Sequence, residues 1–204
     1  HPGIYPDSLQ FSHKMWDMGW SVGSETFGDL DNDGWTDVIY VGDDTTLGEA
    51  QWVFVAEYDT NTGTMQRRMA DHPPEWRVSG IGTGDFDQDG ASDFVIGSIY
   101  GDVYVYESTG PDRYDRVYDG SVPTSNAYMN RATHDMDGNG QPEFFIGGSA
   151  YYNGEAGTLL TWFESTGENQ YQPVRDVLLM GTSVLGTTAL YTADLNGDMR
   201  EELI

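Results

Sequence analysis

The sequence lacks the features that mark several common protein classes. It contains no cysteine, so no disulfide framework can cross-link the fold, and a bound metal is one candidate for that role. No stretch approaches the roughly 20 apolar residues of a membrane-spanning helix. Only 9 residues are Lys or Arg against 34 that are Asp or Glu, which gives a formal net charge of −25. Such a charge repels phosphates and anionic lipids, so we expect neither nucleic acid binding nor membrane insertion.

The residues that are abundant favour a folded all-β protein. The 204 residues include 26 Gly, 13 Tyr, 8 Phe and 6 Trp. Aromatic residues are typical of strands, and glycine is typical of the turns between them. An acidic disordered chain has few aromatic residues, so the aromatic content argues strongly against disorder. The acidic residues of a folded chain need cationic partners.

Four segments of the sequence repeat, each with an Asp-rich stretch that runs into a short apolar strand. They begin at Asp29, Asp85, Asp135 and Asp194, with spacings of 56, 50 and 59 residues. The segments that follow the second and third stretches, 101–120 and 157–179, also match, as two alternating apolar runs joined by a turn. Four antiparallel strands in a repeat of about 40–50 residues indicate a β-propeller blade.

The repeat boundaries predict three complete blades and the beginning of a fourth. Propellers close with roughly 4–8 blades, so we expect this chain to form part of a larger propeller. The predicted units are a lead-in segment or outer strand at 1–20, blade 1 at 21–78, blade 2 at 79–126, blade 3 at 127–186 and the start of blade 4 at 187–204.

Each Asp-rich stretch reads as a nine-residue loop, and we call them loops 1 to 4 (residues 29–37, 85–93, 135–143 and 194–202). Positions 1, 3, 5 and 9 always carry a carboxylate or an amide, whereas position 7 varies freely. Position 7 is therefore expected to offer only its backbone carbonyl. The twenty predicted metal ligands at positions 1, 3, 5, 7 and 9 are Asp29, Asp31, Asp33, Trp35 and Asp37; Asp85, Asp87, Asp89, Ala91 and Asp93; Asp135, Asp137, Asn139, Gln141 and Glu143; and Asp194, Asn196, Asp198, Arg200 and Glu202.

This spacing suits calcium, which takes about 6–8 oxygen ligands at about 2.3–2.6 Å and tolerates irregular geometry. Glycine at position 6 of loops 1 to 3 permits the sharp bend that such a loop needs. Met199 stands there in loop 4, so the fourth of about four expected sites is predicted to be weaker. Magnesium prefers rigid octahedral geometry, and zinc prefers His or Cys, which no predicted ligand position carries.

Two other interpretations of the loops are less consistent with the sequence. An EF-hand loop closes with Glu at position 12, where loops 1 to 3 have Tyr40, Ile96 and Ile146. Ordinary Asp/Gly turns explain one such loop, but four in register at blade spacing favour a metal site. Calcium at millimolar concentration is an extracellular condition, so the loops predict a secreted or cell-surface protein.

The sequences DLDNDGWTD and DFDQDGASD, each followed by an apolar strand and glycine, resemble the FG-GAP/VCBS repeat. That family includes the calcium-binding propeller of integrin α-subunits and many secreted bacterial proteins. The resemblance implies a calcium-loaded propeller that binds a glycan or an extracellular protein, or one that belongs to a polysaccharide-degrading enzyme. It also implies that partners bind the face opposite the calcium loops.

The residues favour a non-catalytic adhesion or recognition module over an enzyme. The four histidines have no metal or triad spacing, and the conspicuous carboxylates are taken up by the loops. A lyase or hydrolase propeller, and a structural subunit of an extracellular fibre or surface layer that self-associates through open blade edges, remain alternatives. The predicted partner face carries five aromatic residues that could contact a ligand or pack between blades: Trp76, Tyr100, Tyr128, Tyr151 and Tyr152.

Overall fold

The computed structural model describes residues 22–44, 46–74, 78–132, 135–152, 155–180, 192–197 and 202–203. All regular structure in these ranges is β-strand. Within them no helix is long and apolar enough to cross a membrane. The all-β prediction is confirmed.

The strands form three four-stranded sheets and one two-stranded sheet. We call the three larger sheets blades 1, 2 and 3. Blade 1 contains β1 (Val22–Gly28), β2 (Asp37–Asp44), β3 (Glu49–Asp59) and β4 (Thr64–Asp71). Blade 2 contains β5 (Val78–Gly84), β6 (Asp93–Ser98), β7 (Asp102–Gly110) and β8 (Arg113–Ser121). Blade 3 contains β9 (Ser125–Ala132), β10 (Glu143–Tyr152), β11 (Glu155–Gly167) and β12 (Gln170–Met180), and the short sheet pairs β13 (Thr192–Ala193) with β14 (Glu202–Leu203).

Each blade is a meander in which every strand pairs antiparallel with the next one along the chain. A β-bulge interrupts the pairing of the third and fourth strands at the same place in all three blades. The bulge leaves one residue of the fourth strand without a direct partner, namely Arg68, Val117 and Val174. Bulges bend and twist a strand locally, so this shared feature gives the three blades a common shape.

The hydrophobic core lies between successive blades. Side chains of blades 1 and 2 share one buried cluster, which includes Ile39, Val55, Phe94 and Tyr106. Blades 2 and 3 share a second cluster around Phe86, whose ring centroid lies 4.8 Å from that of Phe144. A sheet buries its faces only against another layer, so the blades stabilise one another face to face.

The first strands of the blades lie side by side, with β5 in contact with both β1 and β9. Blade 3 also approaches blade 2 closely at Gly97 of β6, where an added Cβ would lie 1.9 Å from the Ala127 carbonyl oxygen of β9. This blade-like arrangement is that of a β-propeller. The described residues account for three complete blades and two short strands of a further sheet, not for a closed ring.

Candidate metal centres

The predicted loops occupy equivalent places, between the first and second strands of their blades. Loop 1 connects β1 to β2, loop 2 connects β5 to β6, and loop 3 lies between β9 and β10. In each case the position-9 acid is the first residue of the second strand, as in Asp37, Asp93 and Glu143. The strand therefore fixes the acid that closes the loop.

One hydrogen bond recurs in all four loops and fixes their curvature. The backbone N–H of position 2 donates to the carboxylate of position 9, seven residues later, with N···O distances between 2.7 and 2.9 Å. The four donor–acceptor pairs are Leu30 with Asp37, Phe86 with Asp93, Met136 with Glu143, and Leu195 with Glu202. This bond occupies one oxygen of the position-9 carboxylate in each loop.

The backbone turns sharply at two positions of the loop. Position 6 has φ of +92° at Gly34 and +93° at Gly90 and Gly140, and the space around their missing Cβ atoms is open. Glycine is needed there for its conformation rather than for lack of room. Position 4 is also left-handed in every loop, as Asn32, Gln88, Gly138 and Gly197. Asparagine and glycine are the residues that tolerate this region best.

The position-1 and position-5 side chains point into the bend. The Asp29 carboxylate accepts hydrogen bonds from the N–H groups of Asp33 and Gly34 at 3.1 and 3.0 Å. In loop 3, Asp135 accepts from residues 138, 139 and 140 in the same way. The position-5 oxygen accepts from the position-7 N–H in loops 1, 2 and 3. These hydrogen bonds orient the position-1 and position-5 side chains toward the inside of the bend without a bound ion.

The inward arrangement brings carboxylate oxygens together in three of the loops. One oxygen from each of Asp29, Asp31 and Asp33 lies within 4.8 Å of the other two. The same holds for Asp85, Asp87 and Asp93 in loop 2, and for Asp135, Asp137 and Glu143 in loop 3. Two oxygens that bind one calcium ion can be at most about 5 Å apart, so these spacings fit calcium.

Buried oxygens without donors provide an independent test of the fit to a cation. Asp93 is 1% exposed, and its Oδ1 atom has no hydrogen-bond donor. Asp37 is equally buried, and its Oδ1 likewise has no well-aligned donor, although the Tyr114 hydroxyl lies near it. A buried carboxylate oxygen without a partner is costly, and a bound cation removes that cost. The residues of loops 1 and 2 therefore fit calcium.

Burial also sets the electrostatics of these two acids. Loss of hydration raises the pKa of Asp93 to about 8, while the Phe86 N–H opposes the rise and neighbouring acids such as Asp87 add to it. The same cause raises the pKa of Asp37 to about 6, opposed by the Leu30 N–H. The surroundings of both carboxyl groups therefore disfavour the charged form.

The hairpin turn of the next blade closes over loops 1 and 2, a contact absent from the sequence analysis. The Asp112 N–H of blade 2 donates to Asp31 Oδ2 at 2.6 Å, and the Asn169 N–H of blade 3 donates to Asp87 Oδ2 at 2.7 Å. Asp112 and Asn169 occupy the same left-handed position of a two-residue turn. Position 3 therefore joins loops 1 and 2 to the blade that follows each of them.

A glutamate on the third strand is a second feature that sequence analysis missed. Glu57, Glu107 and Glu164 are the antiparallel partners of Asp37, Asp93 and Glu143 respectively. The matched triplets 107–109 and 164–166, both Glu-Ser-Thr, were the available sequence signal. Their register against the loops depends on strand pairing, which the sequence motif alone does not give.

The fourth loop is described only in part. Asp194, Asn196 and Glu202 lie in described ranges, and the Gly197 N–H donates to Asp194 Oδ1 at 2.6 Å. The Asn196 side chain donates to Glu202 Oε1 at 2.7 Å. Asp198, Met199 and Arg200 lie outside the described residues, so the predicted weakness of this site stays a prediction.

The structure describes some, but not all, of the five aromatic residues of the predicted partner face. Tyr100 lies in the turn between β6 and β7, at the end of blade 2 opposite loop 2, and its side chain is 65% exposed. Tyr128 lies in β9, and Tyr151 and Tyr152 end β10. Trp76 lies outside the described residues. Tyr100 is thus the one of the five whose described side chain is available to a partner.

A groove on the side of blade 1 that carries loop 1 was not predicted. Its volume is about 260 Å³, and it runs between loop 1 and the turn joining β3 to β4. Asp33, Trp35, Glu57, Asp59 and Arg68 are among its lining residues. The Trp35 side chain is 48% exposed, so position 7 of loop 1 presents an aromatic ring beside charged groups.

These observations define blades of the β-propeller class with an acidic loop between the first and second strands. A family model of the FG-GAP-like repeat matches residues 85–146, which begin at loop 2 and end in β10. The chain therefore contains an FG-GAP-like repeat, and the resemblance to the FG-GAP/VCBS family is confirmed over that segment. A search of curated proteins found no significant match.

Proposed function

We propose that this chain forms calcium-binding blades of an extracellular β-propeller that acts as a non-catalytic recognition module. The observation that carries the proposal is the recurrence of one loop frame. In loops 1 to 3 the same hydrogen bond draws a strand-borne acid against a bend lined with carboxylate oxygens. The FG-GAP-like repeat supports the class of module.

The chemistry of the loops favours calcium over other ions. At positions 1, 3, 5 and 9 of loops 1 to 3 every side chain offers an oxygen ligand, from a carboxylate or an amide. Calcium is the hard cation that binds many oxygens in irregular loops. At their predicted ligand positions loops 1 and 2 hold four acids each and loops 3 and 4 hold three each, out of 34 in the chain. Binding one divalent ion per loop would relieve repulsion where the acids are most crowded.

Recognition of a glycan or an extracellular protein is the function that the surface features support. Tyr100 presents an exposed ring at the end of blade 2 away from loop 2, and Trp35 presents another beside the groove of blade 1. Exposed aromatic rings stack on sugars and anchor protein partners. Calcium would act on recognition through the blades, by holding in place the surfaces that carry these rings.

Thermal unfolding with and without calcium tests the metal part of the proposal. Calcium at one hundred times the Kd of a site stabilises the folded chain by about 2.7 kcal/mol per site, so the Tm should rise well above its value in EDTA. Asp93→Asn keeps an oxygen for the Phe86 N–H but loses the charge, and should remove part of that rise. Asp119→Asn, at an exposed position of β8, is the matched control. Equal Tm values in calcium and EDTA would contradict the proposal.

Binding to an array of glycans tests the recognition part. The calcium-loaded chain should bind a subset of glycans, and EDTA should abolish that binding. Tyr100→Ala and Trp35→Ala should separate the two candidate surfaces, because each removes one exposed ring without a buried contact. Turnover of a polysaccharide by the chain would instead favour the enzyme alternative, and calcium-dependent polymers would favour the structural one.

A further inference from the structure

The third-strand glutamates raise an electrostatic problem that each blade must solve. Glu57, Glu107 and Glu164 each lie directly across from the acid that closes the loop of the same blade. Directly opposed residues of antiparallel strands have Cβ atoms about 4.5–5.5 Å apart, and like charges there are destabilising. A positive or hydrogen-bond-donating group is needed near each glutamate.

Blades 1 and 3 supply that group from their own side chains. In blade 1 the bulge residue Arg68 donates from Nη2 to Glu57 Oε1 at 2.6 Å. Its Nε atom also lies 2.9 Å from Oδ1 of Asp112, which belongs to the turn of blade 2. In blade 3 the position-5 amide Asn139 donates from Nδ2 to Glu164 Oε1 at 3.1 Å. The guanidinium of Arg68 thus sits outside loop 1, between two blades.

Blade 2 has neither an arginine at the bulge nor an amide at position 5 of its loop. The bulge residue equivalent to Arg68 is Val117, which carries no charge. Position 5 of loop 2 is Asp89, an acid, where loop 3 has the amide Asn139. Loop 2 therefore sets carboxylates against Glu107, and the donor near it comes from blade 3 instead, as the Asn169 side chain.

Three buried oxygens at and near Glu107 lack hydrogen-bond donors. Glu107 is only 7% exposed, and its Oε2 atom has no donor. Two further buried oxygens close by are in the same condition, Asp87 Oδ1 and Asn169 Oδ1. Asn169 is the blade 3 residue at the turn position that Asp112 holds in blade 2, and its N–H donates to Asp87. Among the described residues, the Asn169 side chain of blade 3 donates a hydrogen bond to Glu107, and Glu107 Oε2 still has no partner.

We propose that blade 2 binds a second calcium ion, beside that of loop 2, between the carboxylates of Asp87, Asp89 and Glu107. One oxygen from each lies within 4.8 Å of the other two. The inference rests on the proposed calcium binding of the loops. It adds an ion where blade 1 has the Arg68 guanidinium, with Asp87 and Asp89 shared between the two ions. The second ion would lie where blade 3 contacts blade 2, because the Asn169 N–H donates to Asp87.

The number of bound calcium ions per chain tests this assignment. Glu107→Gln should bind one ion fewer than the wild-type chain in calcium titration calorimetry and in elemental analysis after gel filtration. Glu164→Gln is the matched control at the equivalent position of blade 3, and its number should equal that of the wild type. Far-ultraviolet circular dichroism of each variant checks that the blades are folded.

A second variant tests the comparison with blade 1 directly. Val117→Arg places an arginine at the bulge of blade 2, and its guanidinium should replace the ion. This variant should also bind one calcium ion fewer, while its Tm in EDTA should exceed that of the wild type. The two variants should therefore bind the same number of calcium ions, although only Val117→Arg introduces a new cation.

The outcomes separate this inference from the proposed function. If the wild-type chain binds no calcium, the proposed function itself fails. If it binds calcium but Glu107→Gln and Val117→Arg bind the same number of ions as the wild type, the second ion in blade 2 is refuted and the loop sites stand. A change in affinity alone, with an unchanged number of ions, would equally refute a separate second ion.

Discussion

The backbone N–H of Asp112 donates a hydrogen bond of 2.6 Å to Asp31 Oδ2, across 81 residues of sequence and from one blade to the next. The Asn169 N–H repeats this contact with Asp87 one blade later. A side chain of the acidic loop is thus also part of the interface between blades. Loop chemistry and blade packing cannot be changed independently at position 3.

Asp31→Ala should destabilise the protein even when no calcium is present. The substitution removes the acceptor of the Asp112 N–H, and a hydrogen bond to a charged group contributes about 1.5–3 kcal/mol. Asp33→Ala is the control, because the Asp33 carboxylate accepts only within its own loop, from the Trp35 N–H. The measurement is urea unfolding in EDTA. Equal losses of unfolding free energy in the two variants would contradict the interblade role of Asp31.

Gly97→Ala should disturb the packing of blade 2 against blade 3. The added methyl group would meet the Ala127 carbonyl oxygen, and backbone on both sides leaves it little freedom to move. Overpacking of this kind costs about 1–3 kcal/mol. Gly28→Ala is a matched control, since its Cβ would lie 3.8 Å from a Leu30 methyl, an ordinary contact. Thermal unfolding should show a lowered Tm for Gly97→Ala and little change for Gly28→Ala.

Asp44 should make part of the stability depend on acidic pH. Hydrogen bonds from the Thr46 hydroxyl, then from Arg67, lower the pKa of Asp44 to about 2. A carboxyl whose pKa is lower in the folded state stabilises the fold above its unfolded pKa of about 3.9, and this contribution is lost as the pH falls toward 2. The wild type should therefore exceed Asp44→Asn in unfolding free energy at pH 5, and the difference should shrink by pH 2.5. A difference independent of pH would contradict this assignment.

Trp35 should report on an ion bound in loop 1. Terbium is a luminescent hard cation that substitutes for calcium, and an indole at position 7 lies within energy-transfer range of the site. Trp35→Phe should lose the larger part of tryptophan-sensitised terbium emission. Trp52→Phe, which alters a residue of β3 near the opposite end of blade 1, should retain it. Equal emission from both variants would place the sensitising site outside loop 1.

The blade pattern was predictable from the sequence because it depends on local signals. Alternating apolar runs, a turn at each hairpin and a loop with glycine at position 6 all lie within one repeat, and the three described blades follow them. The position-9 acids could also be placed, since Asp37, Asp93 and Glu143 begin the strands that their apolar neighbours define.

The contacts between repeats were not predictable from one sequence. The hydrogen bond from the Asn169 N–H to Asp87 depends on how blade 3 stacks on blade 2. No local feature of the sequence indicates that stacking. The opposition of Glu107 to Asp93 depends on the register of β6 against β7. The role of Arg68 depends on a bulge that leaves it without a direct strand partner. Each is a consequence of tertiary packing that residue spacing does not encode.

A high-resolution crystal structure grown in calcium is the measurement that tests the metal-binding account most directly. It should show strong density inside loops 1, 2 and 3, with oxygens of positions 1, 3, 5 and 9 at about 2.3–2.6 Å from the ion. Loops that contain only water under saturating calcium, with their carboxylates turned toward solvent, would contradict it.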